Sequence, residues 1–217
     1  MNDGMTRYSL KEEIASSVIH GIGILLSLVA LIVMLYYAVR YGNGWHIAGA
    51  LVFGCGLIMA YTSSTLYHSF QKARIKAIFR MLDHISIFIL IAATYTPLTL
   101  INLRGPWGWS IFGVVWGLAL FGIVVECTSL RRFRLASVLL YLGMGWTIVV
   151  AIKPLMALVQ PGGTALLLAG GLFYTFGCIF YAWKKLPYNH AIWHLFVIAG
   201  STCHFFAILF YVLPLPR

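Results

Sequence analysis

Acidic residues are almost missing from this sequence. Only Asp3, Glu12, Glu13, Asp83 and Glu126 occur in 217 residues, and all charged residues together make up 9%. A soluble domain carries roughly 25%, so a water-facing globular surface is excluded. Cysteine pairs of the CxxC type are also missing. Cys55, Cys127, Cys178 and Cys203 stand singly in apolar runs, which excludes a disulfide framework and reads as buried, reduced thiols. No Walker A or strand-to-helix GxGxxG pattern exists, since Gly21-Ile22-Gly23 opens an apolar run. The loops are too short to hold a soluble domain, and no internal repeat is present. A net charge of +10 would point to nucleic acid in a soluble chain. Here no basic patch is interleaved with aromatics on a soluble element, so nucleic acid is excluded as a partner.

What is present is apolar length. Hydrophobic residues make up 61% of the chain, with a mean hydropathy of +0.91, the composition of an integral membrane protein. Seven apolar segments can be drawn: 14–39, 45–69, 81–101, 107–128, 135–152, 165–183 and 191–213. Each approaches the ~20 residues that a helix needs to cross the hydrocarbon. Gly42-Asn43-Gly44, Gly105-Pro106, Pro161-Gly162-Gly163 and Pro187 punctuate them. The shorter alternating segments of a β-barrel do not occur. The expected fold is therefore all-α, one seven-transmembrane-helix bundle over residues 1–217. The fifth segment is short, and Lys153-Pro154 interrupts a pattern that continues to Val159. Asp3, Glu12 and Glu13 precede the first segment, unlike the basic start of a secretory signal, so this segment is expected to stay in the membrane. Gly49, Gly54, Gly56 and Ala60 are expected to allow close helix packing.

Basic residues set the orientation. Arg7, Lys11, Lys72, Arg74, Lys76, Arg80, Arg131, Arg132, Arg134, Lys184 and Lys185 fall on the N-terminal side of this topology. Only Arg40, Arg104, Lys153 and Arg217 fall on the other. The positive-inside rule then predicts a cytoplasmic N-terminus and an outer C-terminus.

Ionisable residues inside a membrane are costly, so their positions carry information. His190 and His194 open the seventh segment at i and i+4, one turn apart on one helix face. Ser64 and His68 repeat that spacing at the inner end of the second. Glu13 and His20, at i and i+7, share one side of the first. Asp83 lies in the expected first turn of the third. These groups from four helices fall at one depth. Three imidazoles, an Asp and a Ser suit a zinc site with a position left for water. Simpler readings stand beside it. His68 can be interfacial, and an HxxxH pair can snorkel. Asp83 can pair with Arg80 or cap its helix, and Ser64 can bond its own i−4 carbonyl. His84 points about 100° from Asp83 and reads as flanking. His46 reads as interfacial and His204 as a packed or hydrogen-bonded histidine. Glu126 reads as a local ion-pair partner of Arg131 and Arg132. Trp107, Trp109 and Tyr188 read as an aromatic belt.

Glu13-x6-His20-x2-Gly23, Ser64-x3-His68, Leu82-Asp83-His84 and His190-x3-His194 with His204 resemble, together and in this order, the progestin and adipoQ receptor superfamily. The likeness is to its bacterial hemolysin-III-like branch and covers nearly the whole chain. The resemblance implies a seven-helix fold in the bacterial inner (plasma) membrane and a zinc ion near the cytoplasmic side. It implies His68, His190 and His194 as metal ligands, with Asp83 and Ser64 lining the site as catalytic groups. The function implied is a zinc-dependent intramembrane hydrolase of a lipid amide or acyl bond, with a membrane lipid as substrate or ligand. Two other functions are implied by the same likeness: a pore-forming cytolysin, as the hemolysin-III name has it, or a non-catalytic lipid-sensing regulator with a structural zinc.

Overall fold

The computed structural model describes residues 8–128, 130 and 134–214. Among them there is no strand, and seven helical spans are long and apolar enough to cross a membrane. The protein is all-α and multi-pass. Its helices are α1 (Leu10–Tyr41), α2 (Gly44–Ser69), α3 (Ala73–Pro97), α4 (Pro106–Cys127), α5 (Arg134–Gly145), α6 (Ile152–Leu158), α7 (Pro161–Ala182) and α8 (Asn189–Ala207). A π turn over Leu98–Asn102 extends α3, and another over Ile208–Val212 extends α8. The first of these follows Pro97, which supplies no backbone donor. The turn behind it widens to i→i+5, with Leu103 N–H donating to Leu98 C=O at 2.9 Å.

The spans follow one another around a ring that closes where α8 packs against α1. The third span lies deepest, with 67% of its apolar window buried against 11% for the sixth. Small residues set the spacing in its neighbourhood. A Cβ on Gly56 would come within 2.7 Å of Ala93 Cβ, and one on Gly49 within 3.0 Å of Pro97. Those approaches bear out the packing role read for the α2 glycines.

Three expectations need correction. The fifth span runs over Leu135–Leu158, and its interruption is not at Lys153-Pro154. The helix breaks at Trp146, passes through a 3-10 stretch over Thr147–Ala151, and resumes as α6 with Pro154 in the first turn. Proline is tolerated there because first-turn N–H groups have no intrahelical acceptor. The break is held open by Tyr95 of α3. Its hydroxyl donates to Gly145 C=O at 2.7 Å and accepts from Ile148 N–H at 3.0 Å. Two backbone groups that would be unsatisfied in lipid are thereby paired.

The third helix begins at Ala73, so Asp83 lies ten residues, about 15 Å, inside it and does not cap it. His46, read as interfacial, stands in the first turn of α2 and is buried against the protein, with Asn43 N–H donating to its Nδ1 at 3.3 Å in a capping box. The cysteines are free, but Cys55 and Cys127 face outward and Cys178 and Cys203 are half-buried, so none is a core thiol. Their flanking residues are apolar, and a helix surrounded by lipid can face its thiols either way.

Candidate metal centre

The site is assembled at the end of the bundle where α1 and α8 begin and α2 ends. Ser9 caps α1, accepting from Glu12 N–H, while the Glu12 carboxylate reaches back to Ser9 N–H. The other Glu12 oxygen accepts from Tyr188 N–H at 2.8 Å. Tyr188 holds a left-handed backbone, φ 57°, immediately before α8. Asn189 then donates through its side-chain amide to the carbonyls of Phe180 and Tyr181 at the end of α7. These bonds fix the turn that presents His190 and His194.

Three imidazoles meet there. His68, His190 and His194 are all buried, and one ring nitrogen from each lies within 4.8 Å of the others. His68 Nε2 and His190 Nε2 are 3.2 Å apart. Two nitrogens on one tetrahedral zinc, each bonded at about 2.0–2.1 Å, would stand roughly 3.3 Å apart. An N–H···N hydrogen bond has a similar length, but it leaves another atom unexplained. His194 Nε2, which a shared ion would engage, is buried without a hydrogen-bond partner. An unpaired buried nitrogen costs free energy unless something binds it. The donor set, three neutral imidazoles, is one that divalent zinc takes.

The supporting groups were only partly legible. His68 Nδ1 donates to Glu13 Oε2 at 2.6 Å, and Lys76 Nζ donates to Glu13 Oε1 at 2.7 Å. The carboxylate fixes the tautomer of His68 and leaves Nε2 with its lone pair toward the cluster. His194 Nδ1 lies 2.7 Å from the ring nitrogens of His20, so α1 steadies one imidazole from each of α2 and α8. Tyr8 stacks on His190 with centroids 4.7 Å apart. The i, i+7 spacing of Glu13 and His20 marked their shared helix side. Which histidine each would meet depended on tertiary contacts that no spacing encodes.

Asp83 and Ser64 are buried beside the cluster. The Ser64 hydroxyl lies next to the Asp83 carboxylate without closing a hydrogen bond of standard geometry, and it does not bond its i−4 carbonyl. No ion pair joins Asp83 to Arg80 among the described residues. All five candidate residues therefore converge, although only the histidines form the cluster itself. A cavity of about 240 Å³ opens from this end. His20, Ser64, Asp83, His190 and His194 contribute to its lining, which is mainly apolar through residues such as Leu98, Leu155 and Leu168.

The partners expected for Glu126, Arg131 and Arg132, lie outside the described residues. Its carboxylate is buried and accepts from His84 Nδ1 at 2.9 Å. His84 is thus engaged across the α3–α4 interface and is more than flanking. His204 behaves as expected of a hydrogen-bonded histidine, with Nε2 donating to Leu167 C=O at 3.2 Å. Trp107, Trp109 and Tyr188 are exposed, as belt residues would be.

Comparison with known proteins agrees with the motif order. The family described as haemolysin-III related matches residues 8–205. The chain is 48% identical to Hemolysin-3 of Bacillus cereus, covering 99% of both chains. It is 46% identical to the Hemolysin-3 homolog of Bacillus subtilis, covering 96% of this chain and 98% of that one. The human Monocyte to macrophage differentiation factor is 28% identical over 79% of this chain and 74% of its own. No solved structure gives a significant match. The chain belongs to the haemolysin-III related family, the bacterial branch of the progestin and adipoQ receptor superfamily.

Proposed function

We propose that this protein is a zinc-dependent intramembrane hydrolase of a lipid amide or related acyl bond, acting in membrane lipid homeostasis. It would reside as a single seven-helix domain in the bacterial inner membrane. The positive charge bias supports a site near the cytoplasmic face. One observation carries the reading: three buried imidazoles with nitrogens within 4.8 Å stand beside Asp83 and Ser64, which line a mainly apolar cavity. A structural ion alone would not need a carboxylate, a hydroxyl and an acyl-sized apolar cavity beside it.

His68, His190 and His194 would hold zinc, which when bound supplies a Lewis acid and lowers the pKa of a water toward about 7. Glu13 and His20 keep the rings of His68 and His194 in place. Asp83 accepts a proton from the attacking water at its carboxylate. Ser64 donates its hydroxyl proton in a hydrogen bond to the substrate carbonyl oxygen. The apolar walls hold the acyl chain and keep bulk water away from the carbonyl.

Purified protein assayed against a broad set of acyl lipids tests this reading. The expected result is release of fatty acid by the wild type and its loss, by at least about 100-fold, in Asp83→Asn with zinc retained. An active preparation in which Asp83→Asn changes nothing while His68→Ala unfolds would assign the metal a structural role in a regulator. Dye release from vesicles without lipid cleavage would favour a cytolysin, the activity named for its Bacillus relative.

A further inference from the structure

One pair of titratable groups lines the same cavity and has no part in the chemistry described so far. His84 follows Asp83 in α3 and is turned about 100° from it. Its Nδ1 donates to Glu126 Oε1 of α4 at 2.9 Å. The Glu126 side chain is 5% exposed and that of His84 26%, so the carboxylate is sealed while the imidazole reaches open space. Both residues line the cavity that His190, His194, Asp83 and Ser64 also line. The His84 backbone is held as well, since Tyr141 donates its hydroxyl to His84 C=O at 3.2 Å. With Nδ1 committed to a buried carboxylate, Nε2 is the ring nitrogen left for a ligand, bonded to no described residue. A bond that served only to join α3 to α4 would not need its imidazole in the cavity lining.

We propose that His84, oriented by Glu126, is the proton donor to the leaving amine in this cavity. The inference rests on the hydrolase reading and extends it, favouring amides over activated esters as substrates. As the water oxygen bonds to the carbonyl carbon, Asp83 takes a water proton. As the carbon–nitrogen bond breaks, the proton on His84 Nε2 passes to the departing nitrogen. The proton held by Asp83 then restores His84. Amide and water become carboxylic acid and amine, with no other reactant. Glu126 acts as a positioning residue: by accepting from Nδ1 at 2.9 Å it fixes the ring and aims Nε2.

The test uses the leaving group. Wild type, His84→Gln and Glu126→Gln are assayed on one fatty acid presented as an alkyl amide, a nitroanilide and a nitrophenyl ester. Protonation matters most for the poorest leaving group. His84→Gln should lose about 100-fold or more in kcat on the alkyl amide, with the loss shrinking steadily toward the nitrophenyl ester. Glu126→Gln should follow the same slope with a smaller loss, about 10-fold on the amide. Both variants should keep the zinc content of the wild type. An equal loss on all three substrates, or no loss on the amide, would overturn the assignment. If His84→Gln fails to fold, the slope seen with Glu126→Gln decides. A wild type that cleaves none of the three would instead bring down the hydrolase reading on which the assignment stands.

Discussion

Glu13→Gln isolates the role of the group behind His68. The carboxylate makes two bonds at once, accepting from His68 Nδ1 at 2.6 Å and from Lys76 Nζ at 2.7 Å. It is 4% exposed, so water cannot replace either bond cheaply. Glutamine has nearly the same shape but only one acceptor atom at its end. If the amide oxygen faces His68, the NH₂ group faces the Lys76 ammonium; if it is turned round, the NH₂ group faces the His68 N–H. One charge-assisted bond is lost in either rotamer, a cost of about 1.5–3 kcal/mol. Loss of such a ligand-orienting group weakens metal binding by about 10–100-fold, roughly 1.4–2.7 kcal/mol, so the two estimates agree. Competition against a fluorescent zinc chelator, on protein purified in detergent, reads the change directly. Zinc affinity should fall 10–100-fold in Glu13→Gln and far more in His68→Ala. Equal affinity in Glu13→Gln and wild type would refute the claim that this carboxylate orients a ligand.

Two other substitutions probe the scaffold. Tyr95→Phe removes the hydroxyl that bridges Gly145 C=O and Ile148 N–H at the break in the fifth span. It should cost about 1–3 kcal/mol, seen as a lower Tm and faster amide exchange over residues 145–148; unchanged exchange there would contradict the bridging role. Gly56→Ala puts a methyl group within 2.7 Å of Ala93 Cβ and forces α2 away from α3. A loss of about 1–3 kcal/mol is expected, whereas Gly44→Ala, whose Cβ would meet nothing within 4 Å, should leave Tm unchanged in the same thermal scan.

The span count and the gathering of the candidate site's residues were legible in the sequence because lipid is a demanding solvent. A span needs an uninterrupted apolar stretch, and a histidine, serine or aspartate left inside one has to be explained. Once the spans were drawn, His68, Ser64, Asp83, His190 and His194 fell at one depth without further assumption. The failures come where hydropathy has nothing to report. Residues 73–80 are helical but carry Arg74, Lys76 and Arg80, so apolarity marked where the hydrocarbon starts and missed where α3 starts. Pro154 looked like a break, but it sits in a first turn that tolerates it, while the real break at Trp146 depends on a tyrosine from another helix. Glu126 was matched to Arg131 and Arg132, which lie outside the described residues; the bond it accepts from His84, 42 residues away, left no mark in the spacing. Spacing along one helix fixes faces, and pairings between helices emerge only when the bundle closes.

The central claim is that α2 and α8 share one metal ion. Metal analysis of the purified protein, beside a His194→Ala variant prepared identically, tests it most directly. The account predicts about one zinc per chain in the wild type and near-complete loss in His194→Ala, while Gly44→Ala keeps its zinc. A wild type that folds and purifies free of transition metal, or a His194→Ala protein that holds zinc as tightly as the wild type, would contradict it.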